Sequence, residues 1–247
     1  THAISQIIAA GIVPAALEMM DQGIVEAVEA AYGFGFPLDA AAVLLIEVDG
    51  LEVAVDAEAE RIIALCNEQG AREVRRAESE EQRALLWKCR KQAFGAIGRL
   101  SPSYCTQDGV VPRTKLPEIL EFIIESGERH GIRIVNVFHA GDGNIHPILL
   151  FDERDEDQVA RVFRASDEIL GRCIELGGSV TGEHGIGVEK LSFMDRLFTP
   201  DDLLVMASVR RAFNPLGTCS PGKVLPTAGA CGMEEIQRSH PGKQAAS

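Results

Sequence analysis

Apolar positions recur along this chain with two periods, and the switches between them mark its elements. Val55, Ala59, Ile62, Ile63 and Cys66 keep to one face at helical spacing. So do Leu116, Ile119, Leu120 and Ile123, and later Val159, Val162, Phe163, Ile169, Leu170, Cys173 and Ile174. Shorter β-like runs lie at residues 15–20, 43–48, 72–76, 105–111, 132–139, 146–151 and 179–181. Ser79 followed by Gln82 reads as a capping box that opens a helix running toward Gly98, and Gly70, Gly131 and Gly177 fall where helices should stop. Strands separated by helices, with one clear hairpin over residues 132–151, predict an α+β fold: a mostly antiparallel sheet covered by helices on one face. From about residue 228 the apolar period disappears into Gly, Ala, Ser and charge, so residues 227–247 are expected to form a disordered tail.

Composition narrows the function. A chain of 247 residues with 46% hydrophobic content can bury a substantial core, as one large domain or two intimate halves. Its net charge of −13 argues against nucleic acid as a partner, since phosphate binding draws on clustered cations that are missing here. Six cysteines are scattered without a CxxC pair, which points to a reducing compartment. No run approaches the roughly 18–20 apolar residues of a membrane span, and the N-terminus lacks the order of a signal peptide. A cytoplasmic location is therefore expected, free or attached peripherally at the inner face of the membrane. The chain opens directly into a helical segment over residues 4–10, which suggests a piece lacking upstream sequence.

Two short segments concentrate the chemistry. The first reads as strand, Gly-rich loop, strand, with His139 and His146 bracketing the loop. Placed opposite one another across the hairpin mouth, their β-carbons would lie about 4.5–5.5 Å apart, close enough for two imidazoles to share one ion. The alternative is a plain hairpin, with glycines supplying positive φ and Asp142 and Asn144 bonding their own backbone. On this segment alone the two readings weigh evenly. The second segment, Gly182-Glu183-His184-Gly185-Ile186-Gly187, leaves a short strand with little side-chain bulk around its Glu and His. Glu183 could complete a His, His, carboxylate set with an open position for substrate. His184, pointing away from it, would serve to move a proton. Taken singly, a turn carboxylate and a backbone-bonded loop histidine are the commoner fates. The clustering favours a site, however: His2 and His240 lie at the termini and His130 closes a helix.

A third feature is a cation on an apolar stripe. Leu86, Arg90, Ala93, Phe94 and Ile97 share one helix face, so Arg90 must meet an anion, either an internal carboxylate, which is the commoner case, or that of a substrate. Arg83, Lys88 and Lys91 read as solvated charge.

These residues have a family likeness. His139 to His146, Gly182 to Gly187, Leu86 to Lys91 with Trp87 and Arg90, and Ser-Pro-Gly-Lys at 220–223 resemble the C-terminal domain of FAD-linked oxidases of the vanillyl-alcohol oxidase superfamily. The likeness covers about residues 1–226 and is nearest to the glycolate oxidase and D-lactate dehydrogenase group. It implies a ferredoxin-like substrate (cap) domain and oxidation of a 2-hydroxy acid to a 2-oxo acid. It further implies His139, His146 and Glu183 as ligands of a divalent metal such as zinc or manganese, His184 as catalytic base, Arg90 as the clamp on the substrate carboxylate, and Asn144 and Ser220 as flavin contacts. Ser220 stands where the family usually has Asn, and Asn214 where Asp commonly precedes Pro. Phe94 and Thr106 replace polar or cationic groups that hydroxyglutarate relatives use for a second carboxylate, which favours a small monocarboxylate. FAD should be held mainly by an N-terminal FAD-binding domain absent from this chain, because Asp142-Gly143-Asn144 and Gly185-Ile186-Gly187 are too short for a dinucleotide fingerprint. An iron-sulfur electron-transfer subunit is a further implied partner. A zinc hydrolase and a non-catalytic cap or assembly module are the rival readings.

Overall fold

The computed structural model describes residues 2–226, so the expected tail at 227–247 lies outside the described residues. The chain divides into two compact units, the first ending at Gly178 and the second beginning at Ser179.

The first unit runs α1 (His2–Ala9), β1 (Ala16–Asp21), α2 (Gln22–Tyr32), β2 (Ala42–Glu47), α3 (Glu52–Glu68) and α4 (Glu80–Ile97). It continues β3 (Ser103–Thr106), β4 (Gly109–Val110), α5 (Leu116–His130), β5 (Arg133–His139), β6 (Asn144–Phe151) and α6 (Glu156–Glu175). The sheet has the order β2-β1-β5-β6-β3, with β4 also on β6, and every pairing is antiparallel.

Helices cover both faces of this sheet, where the sequence suggested one. Ile7, Leu17, Met19, Ile119, Phe138, Ile145 and Ile169 join β1, β5 and β6 to α1, α5 and α6 in one core. Met20, Ile24, Val28, Ala93, Ile97, Val137 and Ile148 join the opposite face to α2 and α4 in another. The reason lies in the central strands: β5 and β6 carry apolar residues at successive positions, so neither face can be left to water.

Three expected strands differ. The run at 105–111 is broken between β3 and β4, although both hold one register against β6, from Thr106↔Ile148 to Gly109↔Ile145. The break falls opposite Pro147, which accepts from the Gln107 N–H at 2.9 Å but has no N–H to return. Residues 72–76 form no strand: they begin in a bend and continue as irregular chain, tied by ion pairs of Arg72 with Asp39 (2.7 Å) and Arg76 with Asp56. Only Val74 there is apolar, so the segment has no face to bury. At 179–181 an isolated bridge at Ser179 replaces the strand, because the Ser179 hydroxyl donates to the Thr181 carbonyl (3.0 Å) and accepts from its N–H (3.3 Å), a turn that competes with a ladder.

The helix starts follow their signals. The Ser79 hydroxyl accepts from the Gln82 N–H at 3.3 Å, while Gln82 Oε1 reaches one residue further back, to the Glu78 N–H at 2.8 Å. Gly131, at φ 60°, closes α5 in the left-handed conformation. The second unit contains α7 (Met194–Leu197) and α8 (Pro200–Phe213), the latter opened by a Thr199/Asp202 capping box, with Met194, Leu203 and Leu225 at its core. No described helix is long and apolar enough to cross a membrane.

Candidate active site

The hairpin sets the site. Its register pairs His139 with Asn144 and His146 with Val137, so the two histidines are diagonal neighbours and not directly opposed across the hairpin mouth. All four residues share one face of the sheet, because register steps of two preserve side. A diagonal pair is normally about 7–8 Å apart at the backbone, within reach of rings that lean together. Here the imidazole centroids lie 5.1 Å apart at an interplanar angle of 86°. Neither Asp142, which is exposed, nor Asn144 makes the side-chain bond to its own backbone that a purely structural turn would use. Asn144 is buried, and its Oδ1 has no hydrogen-bond partner among the described residues. Gly143 is required: at φ 76° a Cβ would lie 2.1 Å from the Val111 carbonyl oxygen.

Arg90 meets an internal carboxylate. Its Nε donates to Glu18 Oε2 at 2.9 Å, with the two side chains only 9% and 10% exposed. Among the described residues its two Nη groups make no hydrogen bond. The other oxygen of Glu18 is 2.8 Å from His139 Nδ1, and register puts the two residues directly opposite on β1 and β5. Burial alone would push the Glu18 carboxyl up; the His139 hydrogen bond and the Arg90 charge outweigh it and hold the pKa below the usual carboxylate value. At pH 7 Glu18 is ionised, so it accepts from both neighbours.

His146 is almost fully buried, with Nε2 3.5 Å from Oδ1 of Asp108, an ion-pair distance longer than a good hydrogen bond. Each imidazole thus has a carboxylate beside one ring nitrogen, the arrangement that carboxylate–histidine–metal sites use. The donor chemistry of this pair fits a divalent ion. Phe94 of α4 packs on His146, ring centroids 6.5 Å apart, and Thr106 is half-buried on β3.

Glu183 and His184 belong to the second unit. They lie on a turn held by the Gly185 N–H donating to Thr181 Oγ1 at 2.8 Å, with Gly185 at φ 81°. Their side chains do not diverge: Glu183 Oε1 is 3.5 Å from His184 Nε2, and both are about half exposed. Further along, Ser220 is exposed at φ 44°, a left-handed conformation that Asn, the usual family residue there, tolerates better. Its carbonyl accepts from Arg210 Nη2 at 2.5 Å. Asn214 donates to the Cys219 carbonyl (3.0 Å) and accepts from its N–H (3.2 Å). An Asp could do only the second, which gives the departure at 214 a physical sense.

Sequence reasoning missed Glu18 and Asp108. Glu18 had a signal: it is an acid inside the apolar run Ala-Leu-Glu-Met-Met, where a charge requires partners as much as Arg90 does. Asp108, fully buried, had none, because its placement opposite His146 depends on register alone.

An antiparallel sheet presenting paired histidines and a carboxylate-bound arginine defines the class. The chain belongs to the family of FAD linked oxidases, C-terminal domain, whose model matches residues 1–224. Membership makes FAD the cofactor of the protein this domain serves, and it lends no support to the hydrolase or the non-catalytic module.

Among particular proteins, it is 43% identical over 240 residues to glycolate oxidase subunit GlcD of Escherichia coli (strain K12), covering 97% of this chain and 48% of that protein. GlcD of Bacillus subtilis (strain 168) is 38% identical over 222 residues (90% and 47%), and the probable mitochondrial D-lactate dehydrogenase of Danio rerio is 29% identical over 223 (89% and 44%). The chain spans about half the length of the curated relatives it matches. The crystal structure of p-cresol methylhydroxylase with substrate bound is similar at a TM-score of 0.59 and 15% identity, over 84% of this chain and 46% of that one, a likeness of fold alone.

Proposed function

We propose that this chain is the substrate-facing half of an FAD-dependent oxidoreductase that converts a small 2-hydroxy acid, of glycolate or D-lactate type, to the 2-oxo acid. The observation that carries the reading is Arg90, a buried guanidinium held to Glu18 through Nε and, among the described residues, by no other hydrogen bond. Its Nη edge remains for a carboxylate, which a planar fork binds in bidentate fashion. Phe94 beside His146 supplies an apolar wall, suited to a hydrogen or methyl on the α-carbon and unsuited to a second carboxylate. His139, His146 and Glu183 are the ligands for a divalent ion, zinc or manganese, which when bound would polarise the substrate oxygen as a Lewis acid. His184 takes the hydroxyl proton; its imidazole is half exposed, and a ring nitrogen can accept one. Bound FAD supplies the acceptor for the α-hydrogen as hydride. Asn144, whose buried amide oxygen has no partner among the described residues, and Ser220 on its left-handed turn are the flavin contacts.

The protein so completed includes an N-terminal FAD-binding domain and passes electrons to an iron-sulfur subunit. A cytoplasmic place, free or peripheral at the inner face of the membrane, belongs to the same reading and rests on the scattered cysteines and acidic composition.

The test uses the full-length flavoprotein. His184→Ala should lower kcat with glycolate or D-lactate by about 10²–10⁴-fold at unchanged flavin content. Arg90→Lys should raise KM by about tenfold, since an ammonium cannot reproduce the fork. Near-normal turnover in both variants would remove the catalytic assignment.

A further inference from the structure

We infer that Glu18 is a positioning residue: one carboxylate, reaching Arg90 with one oxygen and His139 with the other, sets at once the edge that the guanidinium offers to substrate and the nitrogen that the imidazole offers to a metal ion. The inference deepens the proposed function and rests on it.

The argument begins with how each oxygen is used. Oε2 takes the Nε–H of Arg90 at 2.9 Å, so the side of the guanidinium is spent on the protein and its terminal Nη pair is the edge left for a ligand. Oε1 lies 2.8 Å from Nδ1 of His139. With its other oxygen on the Arg90 guanidinium, Glu18 meets Nδ1 as an acceptor, so the hydrogen bond turns Nδ1–H toward the carboxylate and leaves Nε2 as the nitrogen placed to ligate. The partners arrive from different elements, Arg90 from α4 and His139 from β5, and Glu18 stands between them on β1. A side chain that only neutralised Arg90 would not need its second oxygen on a histidine.

Few residues could replace it. Glutamine has the same shape but one acceptor and one donor. With its oxygen toward Arg90, its NH₂ faces His139 and forces the proton onto Nε2, which blocks ligation. Turned the other way, it meets the Arg90 N–H with another donor and releases the guanidinium. Aspartate is one methylene shorter, so its carboxylate cannot span both partners at once.

The experiment is Glu18→Gln in the full-length flavoprotein, read by zinc affinity in competition with a chelating dye and by steady-state kinetics with glycolate. The expected result is a zinc affinity about 10–100-fold weaker, the range for loss of a residue that orients a ligand histidine, together with a raised KM and an unchanged flavin content. Zinc affinity and KM both within twofold of wild type would overturn the inference. Should the variant fail to fold, the wild-type protein still decides: ¹⁵N NMR of His139 in the zinc-free state should show the Nδ1–H tautomer, and the Nε2–H tautomer refutes it. The two readings separate cleanly. If His184→Ala and Arg90→Lys leave turnover intact, the proposed function fails; if they impair it while Glu18→Gln changes neither zinc affinity nor KM, only the role of Glu18 fails.

Discussion

Replacing Arg90 by Met removes one partner of an ion pair whose side chains are 9% and 10% exposed and whose N···O distance is 2.9 Å. With charge centres about 4 Å apart and an effective dielectric near 20, the attraction forfeited is about 4 kcal/mol. The larger consequence is that the Glu18 carboxylate stays buried with His139 as its remaining neighbour, and breaking a buried pair in this way costs about 3–5 kcal/mol. The compensating replacement is Glu18→Leu, which removes the stranded charge. Two apolar side chains of similar volume commonly substitute for a buried pair at no net cost. His139 then loses an acceptor, but its ring is 30% exposed, so water can take that bond, leaving a penalty of about 0.5–1.5 kcal/mol. Urea denaturation at neutral pH followed by far-UV circular dichroism should therefore show the single variant destabilised by about 3–5 kcal/mol and the double variant within about 1.5 kcal/mol of wild type. A single variant that loses less than about 1 kcal/mol, or a double variant as unstable as the single, contradicts the account of Arg90 as a desolvated cation dependent on Glu18.

Three further outcomes are expected. Gly178→Ala should abolish soluble expression or lower stability by more than about 3 kcal/mol, because its Cβ would lie 1.8 Å from the Val110 carbonyl oxygen and 2.9 Å from that of Cys173, backbone atoms that cannot swing aside; a thermal melt near wild type would count against it. Ser220→Asn should stabilise the C-terminal loop by up to about 1 kcal/mol, since the site sits at φ 44°, and hydrogen exchange of the Cys219 and Lys223 amides will register a gain or its absence. Burial pushes the Cys89 thiol up to about 12, so at pH 8 it should resist thiol reagents in the native state while exposed Cys219 reacts, as mass mapping of alkylated peptides can verify. The sign of the linkage follows: the folded-state value is raised, so the stabilising contribution is complete below about 9 and is lost as pH rises toward 12, and the stability gap to Cys89→Ala should narrow over that window.

Local patterns carried much of the fold. The hairpin of β5 and β6 was legible because two apolar runs flank a glycine-rich turn, and α4 because Ser79 and Gln82 announce its start. Residues 72–76 misled for the converse reason: a segment becomes a strand only beside another strand, and a run of charge with Val74 alone to bury attracts none. The second helical layer was likewise hidden, since a run of successive apolar residues in a strand says that both faces are covered without saying by what.

For the site, the chain itself determined which residues bear chemistry: His139 and His146 around a glycine loop, Glu183 beside His184, and an arginine on an apolar helix face that had to find an anion. Only the tertiary structure decided which anion. Glu18 lies 72 positions from Arg90 and 121 from His139. It joins them because antiparallel register places β1 against β5, and because α4 covers the same face. Periodicity is set by backbone geometry within a few residues and so is written locally. Register and cross-layer contact are set by how distant segments share a core, and that information has no local form.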